Sequence, residues 1–277
     1  MTIPEINLAI NPELARKILT GFIKSEITRA GFERAVVGLS GGIDSALSCV
    51  LAAEALGPEN VLAVRMPYKS SSSESLEHAQ MVIEQFQVQS ETIEITDMVD
   101  PLIVRDPEMP KLRKGNIMAR TRMIVLYDQS EAFRGLVVGT GNKTEILLGY
   151  STLWGDSASA LNPIGDLYKA QVRQLARTLG IPSVIVDKPP SADLWVGQTD
   201  ENELGFTYDD VDKLLYLLVD HRYSPEECIE AGFDQTFVET VVTRIRRNQF
   251  KRMLPPVAKV SNRTVGYDFL YLRDWGT

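Results

Sequence analysis

The sequence predicts an α/β fold, a mostly parallel sheet flanked by helices and followed by a helical C-terminal part. Three observations predict it. Short apolar runs alternate with longer segments of helical periodicity. Glycine or proline marks the junctions. Two glycine-containing loops, after residues 39 and 139, each leave an apolar run. Alternation of this kind implies right-handed crossovers and helices on both faces of the sheet. In such sheets ligands bind at the carboxyl ends of the strands.

The elements follow in order. Residues 11–30 predict a helix, because Leu14, Ile18, Phe22 and Ile23 recur at helical spacing between Asn11-Pro12 and Gly31. Residues 35–39 predict a short buried strand. A glycine loop follows, then a helix to about Leu56 that Gly57-Pro58 stops. A second strand is expected at 60–66, a polar loop at 70–73, a helix at 74–86 and a third strand at 88–95. A helix over 116–133 leads into a fourth strand at 135–139. Residues 155–205 are rich in Gly, Pro, Asp and Ser, with one clear helix at about 168–179, and read as a covering of the site. From about residue 207 the pattern is helical up to Pro255-Pro256.

The bulk properties narrow the function classes. The chain has 277 residues and a net charge of −8. An acidic balance argues against nucleic acid as the main partner. Two distant cysteines, Cys49 and Cys228, offer neither a disulfide scaffold nor a zinc site, and Cys49 reads as a small core residue. No apolar run approaches membrane-spanning length. A single domain over 1–277, located in the cytoplasm, is expected. His78 and His221, the two histidines, are isolated and read as surface residues.

The loop Ser40-Gly41-Gly42-Ile43-Asp44-Ser45 carries the first chemistry. Glycines let backbone approach phosphate oxygens, and the N–H groups of a helix start supply a positive field. Ser40 and Ser45 add hydroxyl donors. Asp44 would repel phosphates unless a divalent cation lies between them. Its ordinary reading is a helix cap. No lysine precedes Ser45, so the loop is not a Walker A loop, nor is it a dinucleotide fingerprint. Ser-Gly-Gly-x-Asp-Ser after a strand resembles the signature of the N-type ATP pyrophosphatases.

Further motifs lie downstream in order. They are Gly115-Asn116-Ile117-Met118-Ala119-Arg120-Thr121-Arg122-Met123, Gly139-Thr140-Gly141-Asn142-Lys143-Thr144-Glu145, Gly155-Asp156 and Pro163-Ile164-Gly165-Asp166-Leu167-Tyr168-Lys169. Lys188-Pro189-Pro190-Ser191-Ala192-Asp193-Leu194 and Gln198-Thr199-Asp200-Glu201 follow. Together the set closely resembles the NAD synthetases, from about residue 12 to residue 256. The resemblance implies a Rossmann-like, adenine nucleotide alpha-hydrolase-like fold and a two-step amidation. The nicotinate carboxylate of deamido-NAD attacks the α-phosphorus of ATP, and ammonia then displaces AMP.

The resemblance also implies site residues. Gly38, Leu39, Ser40, Gly41, Gly42, Ile43, Asp44 and Ser45 contact ATP, as do Thr140, Lys169 and Ser191. Asp44 and Glu145 hold Mg2+. Arg120 and Lys251 contact deamido-NAD. Asp156 and Lys169 are the catalytic candidates, with Asp156 positioning ammonia or the adenylate. A homodimer is implied, and the helix at 116–133 offers Met118, Met123, Ile124, Leu126 and Tyr127 as apolar surface or as core. Ordinary readings stand beside these: Lys143 and Lys169 as surface lysines, and Arg244, Arg246, Arg247, Lys251 and Arg252 as complements of a helix C-terminus.

The sequence departs from ammonia-dependent members at Leu153 and Ala160, where they carry a lysine and an aspartate that contact deamido-NAD. Ser151-Thr152-Leu153 looks instead like the glutamine-dependent relatives. Those relatives have an extra N-terminal nitrilase-like domain, which is not expected here, so ammonia is expected as the nitrogen source. The alternatives are another adenylating ligase with a different carboxylate, a tRNA-thiolating enzyme, and a nucleotide-binding regulatory module. Two carboxylates beside a triphosphate favour chemistry over the last.

Overall fold

The computed structural model describes residues 6–191, 195 and 199–269. Ala192, Asp193, Leu194 and Gln198 of the sequence motifs lie outside the described residues. Helix α1 (Pro12–Arg29) starts at Asn11, whose side chain accepts the Leu14 N–H, with proline at the first helical position. Strand β1 (Arg34–Gly38) feeds the glycine loop and α2 (Ile43–Leu56). Strand β2 (Val61–Arg65), α3 (Ser73–Phe86), β3 (Gln89–Thr92) and α4 (Thr96–Ile103) follow. The long helix α5 (Lys111–Phe133) turns at the left-handed Arg134 into β4 (Gly135–Val138).

The four strands are all parallel, in the order β3-β2-β1-β4. The chain winds outward from β1 to β3 and then crosses back to place β4 on the other side of β1. The order therefore reverses between β1 and β4, the crevice where open parallel sheets hold ligands. Val37 of β1 pairs with Val138 of β4, so the loops after both strands leave at the same level.

Alternation along the strands divides the core. Ala35 and Val37 face α1, α2 and α3 through Ile23, Ile27, Leu47, Leu51 and Val82. Val36, Leu62 and Val64 face α4 and α5 through Val99, Met118 and Val125. A third, helical core joins α6 (Lys143–Leu148) and Tyr168, the residue before α7 (Lys169–Thr178), to the C-terminal part, while Val172, Leu175 and Ala176 of α7 face the first core. Between them and that part lie α8 (Ser183–Val186) and α9 (Asp200–Leu204). The C-terminal part holds α10 (Tyr208–Leu215), a π-helical turn Tyr216–Asp220, α11 (Pro225–Glu230) and α12 (Gln235–Arg247).

Some expectations change, and those for His221 and Cys49 hold. The third strand is shorter than 88–95, and α4 follows it in a stretch where the sequence pattern predicts no helix. His78 is buried at 3% exposure rather than on the surface, because it lies on the inner face of α3 with Ala79 and Val82. His221 is exposed and packs edge-on against Tyr216. Cys49 and Cys228 are both buried free thiols. Met118 is core, whereas Ile124 and Tyr127 are exposed on the same helix.

Candidate active site

A cavity of about 750 Å³ opens at the carboxyl ends of β1 and β4. The glycine loop forms one wall. Its serines hold it closed: Ser45 Oγ donates to Gly42 O at 2.9 Å and accepts the Ser40 N–H at 3.2 Å, and Ser40 Oγ accepts the Gly42 N–H at 3.3 Å. Gly38, Leu39, Ser40, Gly42, Ile43, Asp44 and Ser45 line the space. Gly41 is turned away from it, at φ +84°, and a Cβ there would lie 2.1 Å from Ser75 O. That glycine is required by the close approach of α3. The helix cap is Gly42, not Asp44, which leaves the Asp44 carboxylate free to face the cavity.

Asp44 meets residues from the loop after β4. Asn142 is fully buried; its Nδ2 donates to Asp44 Oδ1 at 2.9 Å, and its Oδ1 accepts the Glu145 N–H at 2.9 Å. The same side chain thus starts α6 and orients the aspartate. Lys169 begins α7, and its Nζ lies 2.5 Å from Asp44 Oδ2 and 3.1 Å from Glu145 Oε1. It also lies 5.1 Å from the ring centroid of Tyr208. Asp200 is held behind this group by the hydroxyls of Tyr150, at 3.1 Å, and Tyr208, at 3.2 Å.

Burial pulls the Lys169 ammonium down, but Asp44 and Glu145 overcome it and its pKa is raised. Lys169 is therefore charged. Burial pushes Glu145 up to about 7 against the pull of Lys169. Burial also raises Asp200, with Lys169 opposing. Three carboxylates around one ammonium leave an excess of negative charge. Hard oxygen donors with that excess fit a magnesium-type cation, which takes one or two carboxylates and completes its shell with phosphates and water. Among the described residues no group of three or more metal-binding side chains is already assembled.

The structure brings Thr140, Glu145, Asp156, Lys169, Ser191 and Lys251 to the cavity with the glycine loop. Lys169, at 2% exposure, is no surface lysine. Arg120 is exposed and outside the lining. Its Nε and Nη2 donate to Leu153 O at 3.3 and 3.2 Å, while Arg122, two residues on and so on the opposite face of α5, lines the wall. Lys251 Nζ donates to Gly149 O at 2.7 Å and Ser151 O at 2.6 Å. With Arg252 and Arg244 it serves the carbonyls at the end of α6. Arg246 and Arg247 are exposed. Asn142, Asp200 and Tyr208 were not among the expected site residues. Asn142 had a signal, since Asn-x-x-Glu is a capping pattern.

Fold and cavity define a protein of the parallel α/β class with a glycine loop set over a carboxylate-lined floor at the point where the strand order reverses. The chain belongs to the NAD synthase family, whose model matches residues 15–255. It is a ligase forming a C–N bond. The NH(3)-dependent NAD(+) synthetase of Trichlorobacter lovleyi is 56% identical over 97% of this chain and 98% of its own. The solved NH3-dependent NAD synthetase of Campylobacter jejuni matches with a TM-score of 0.78 and 32% identity, covering 90% of this chain and 100% of that one. An NMN synthetase from Francisella tularensis matches with a TM-score of 0.80 and 31% identity, over 90% and 99%. These neighbours share the Rossmann-like adenine nucleotide alpha-hydrolase fold.

Proposed function

We propose that the chain amidates deamido-NAD to NAD with ammonia, cleaving ATP to AMP and pyrophosphate. One observation supports the reading above the others. The Lys169 ammonium is fixed between Asp44 and Glu145, beside the loop that would cradle the triphosphate. Charge develops on the leaving pyrophosphate, and a preorganised cation there lowers the barrier.

In the first step the nicotinate carboxylate oxygen bonds to the α-phosphorus and the bond to the β-phosphate bridging oxygen breaks. In the second, the ammonia nitrogen bonds to the acyl carbon, the bond from that carbon to the AMP oxygen breaks, AMP leaves with the electron pair, and the proton lost from nitrogen passes to solvent. Asp44 and Glu145 would hold Mg2+, which neutralises phosphate charge when bound. Gly38, Leu39, Ser40, Gly42, Ile43, Asp44 and Ser45 serve ATP with Thr140, Lys169 and Ser191, while Gly41 lets α3 close against the loop. Asp156 accepts the Thr152 N–H at 2.8 Å and steadies the loop facing the acceptor. Arg120 and Lys251 hold the same loop through the carbonyls of Leu153 and Ser151. The reading includes a cytoplasmic homodimer of single-domain subunits. Free thiols at Cys49 and Cys228 suit a reducing compartment, and no helix among the described residues is long and apolar enough to cross a membrane.

The test is a reconstituted assay with ATP, Mg2+, ammonium and deamido-NAD. Equal amounts of NAD, AMP and pyrophosphate are expected. Pyrophosphate released only with another acid would sink the substrate assignment. NAD formed from glutamine with ammonium excluded would sink the nitrogen source.

A further inference from the structure

Two carboxylates outside the cavity grip both helix starts that carry the site. Asp212, on α10, is fully buried. Its Oδ1 accepts a hydrogen bond from Thr144 Oγ1 at 2.5 Å, and its Oδ2 accepts the Ala170 N–H at 2.8 Å. Thr144 Oγ1 in turn accepts the Lys169 N–H at 3.1 Å. Thr144 stands directly before Glu145 in the first turn of α6, and Ala170 directly after Lys169 in the first turn of α7. One carboxylate therefore joins the two backbones whose side chains meet at Asp44.

A second tie lies further along the same segment. Asp220, the last residue of the π-helical turn, accepts hydrogen bonds from Tyr168 Oη at 2.5 Å and Lys143 Nζ at 2.9 Å. Lys143 opens α6 and Tyr168 is the N-cap of α7. Turns of this wide type are rare and recur at functional sites. Burying the Asp212 carboxylate completely is costly. Its return is the satisfaction of otherwise orphaned helix-start donors and the favourable field at the α7 N-terminus.

We propose that Asp212, supported by Asp220, is a positioning residue for the ligase reaction, setting the Glu145 carboxylate and the Lys169 ammonium at a fixed separation through Thr144 and Ala170. The inference rests on the ligase reading. Geometry of this kind matters because a displacement of about 1 Å from a remote change can cost ~10²-fold in rate.

The test compares wild type with Asp212→Asn, Thr144→Val and Thr144→Ser. Thr144→Val deletes the hydroxyl between Asp212 and Lys169, and Thr144→Ser keeps it. We would measure kcat and KM for ATP well below the unfolding temperature, and hydrogen exchange at the Lys169 and Ala170 amides. Thr144→Val should lose about 100-fold in kcat with little change in KM, while Thr144→Ser stays close to wild type. The Ala170 amide should exchange faster in Asp212→Asn, and the Lys169 amide faster in Thr144→Val. If Asp212→Asn does not fold, the threonine pair carries the test. Equal kcat in the two threonine variants, or unchanged exchange at both amides, would overturn the proposal. A wild type that makes no NAD overturns the ligase reading instead, and the exchange rates still decide the tie.

Discussion

The Asp44 carboxylate and the Lys169 ammonium, 125 positions apart in the chain, meet at 2.5 Å on the floor of the cavity. Removing the cation leaves two crowded carboxylates uncompensated. Lys169→Met should lower kcat/KM by about 10²–10³-fold and destabilise the fold by about 3 kcal/mol. The variant should also gain more thermal stability from added Mg2+ than wild type does, because the divalent ion replaces the missing charge. Melting curves with Mg2+ and with chelator check this; an equal Mg2+ response would count against Asp44 and Glu145 as its ligands.

Gly41 and Gly42 are adjacent, yet their substitution should read out differently. A Cβ at Gly41 meets Ser75 O at 2.1 Å on a backbone of positive φ. Gly41→Ala should cost about 2 kcal/mol or more from strain alone, seen as a lowered melting temperature without ligand. Gly42 meets only Ser40 Oγ, at 3.4 Å, and lines the cavity. Gly42→Ala should fold nearly normally and raise the KM for ATP. The reverse pattern would show that the loop is arranged otherwise.

Much of this was legible in the sequence, and the failures have physical causes. The glycine loop and the strand before it were readable because turn chemistry and apolar runs are local. Helix α4 was not read, because Pro101 inside it breaks the helical signature. Lys169 could be raised above a surface lysine only by resemblance, since its burial is made by Asp44, Glu145 and Tyr208 from distant segments. Asp212 gave no signal at all. An aspartate in an acidic helix start looks solvated until the fold puts Thr144 and Ala170 against it.

Asn142 offers a cleaner separation of folding from catalysis. Its oxygen caps α6 and its amide group faces Asp44. Asn142→Asp keeps the cap and sets a second carboxylate against Asp44. Helix content should be retained, while kcat/KM falls by about 10²-fold as the aspartate turns away. Asn142→Ala should lose activity and also about 1–2 kcal/mol of stability with the cap. Circular dichroism and steady-state rates decide between these outcomes. A fully active Asn142→Asp would remove Asn142 from the site.

The proposed dimer is testable on α5, where Ile124 at 62% exposure and Tyr127 at 43% stand on one face. Ile124→Glu should shift the mass in sedimentation from dimer to monomer and leave the monomer folded. An unchanged mass would place the interface elsewhere.

Asp212 sets a pH dependence whose sign follows from its burial. Burial pushes this carboxyl up from 3.8 to about 6. A folded-state pKa above the unfolded one means that the protonated form favours folding. That contribution is complete below about pH 4 and is lost as pH rises through about 6. The buried charge therefore weighs against the fold at neutral pH, by about 3 kcal/mol, even after the hydrogen bonds from Thr144 and Ala170 have lowered that cost. Asp212→Asn removes the charge at every pH but weakens those bonds at every pH. The stability lost on making Asp212→Asn should accordingly be larger at pH 5 than at pH 8, measured by denaturant unfolding of both proteins. A loss that grows toward pH 8 would mean that the ionised carboxylate is the favoured form, stabilised by the α7 N-terminus beyond the cost of its burial.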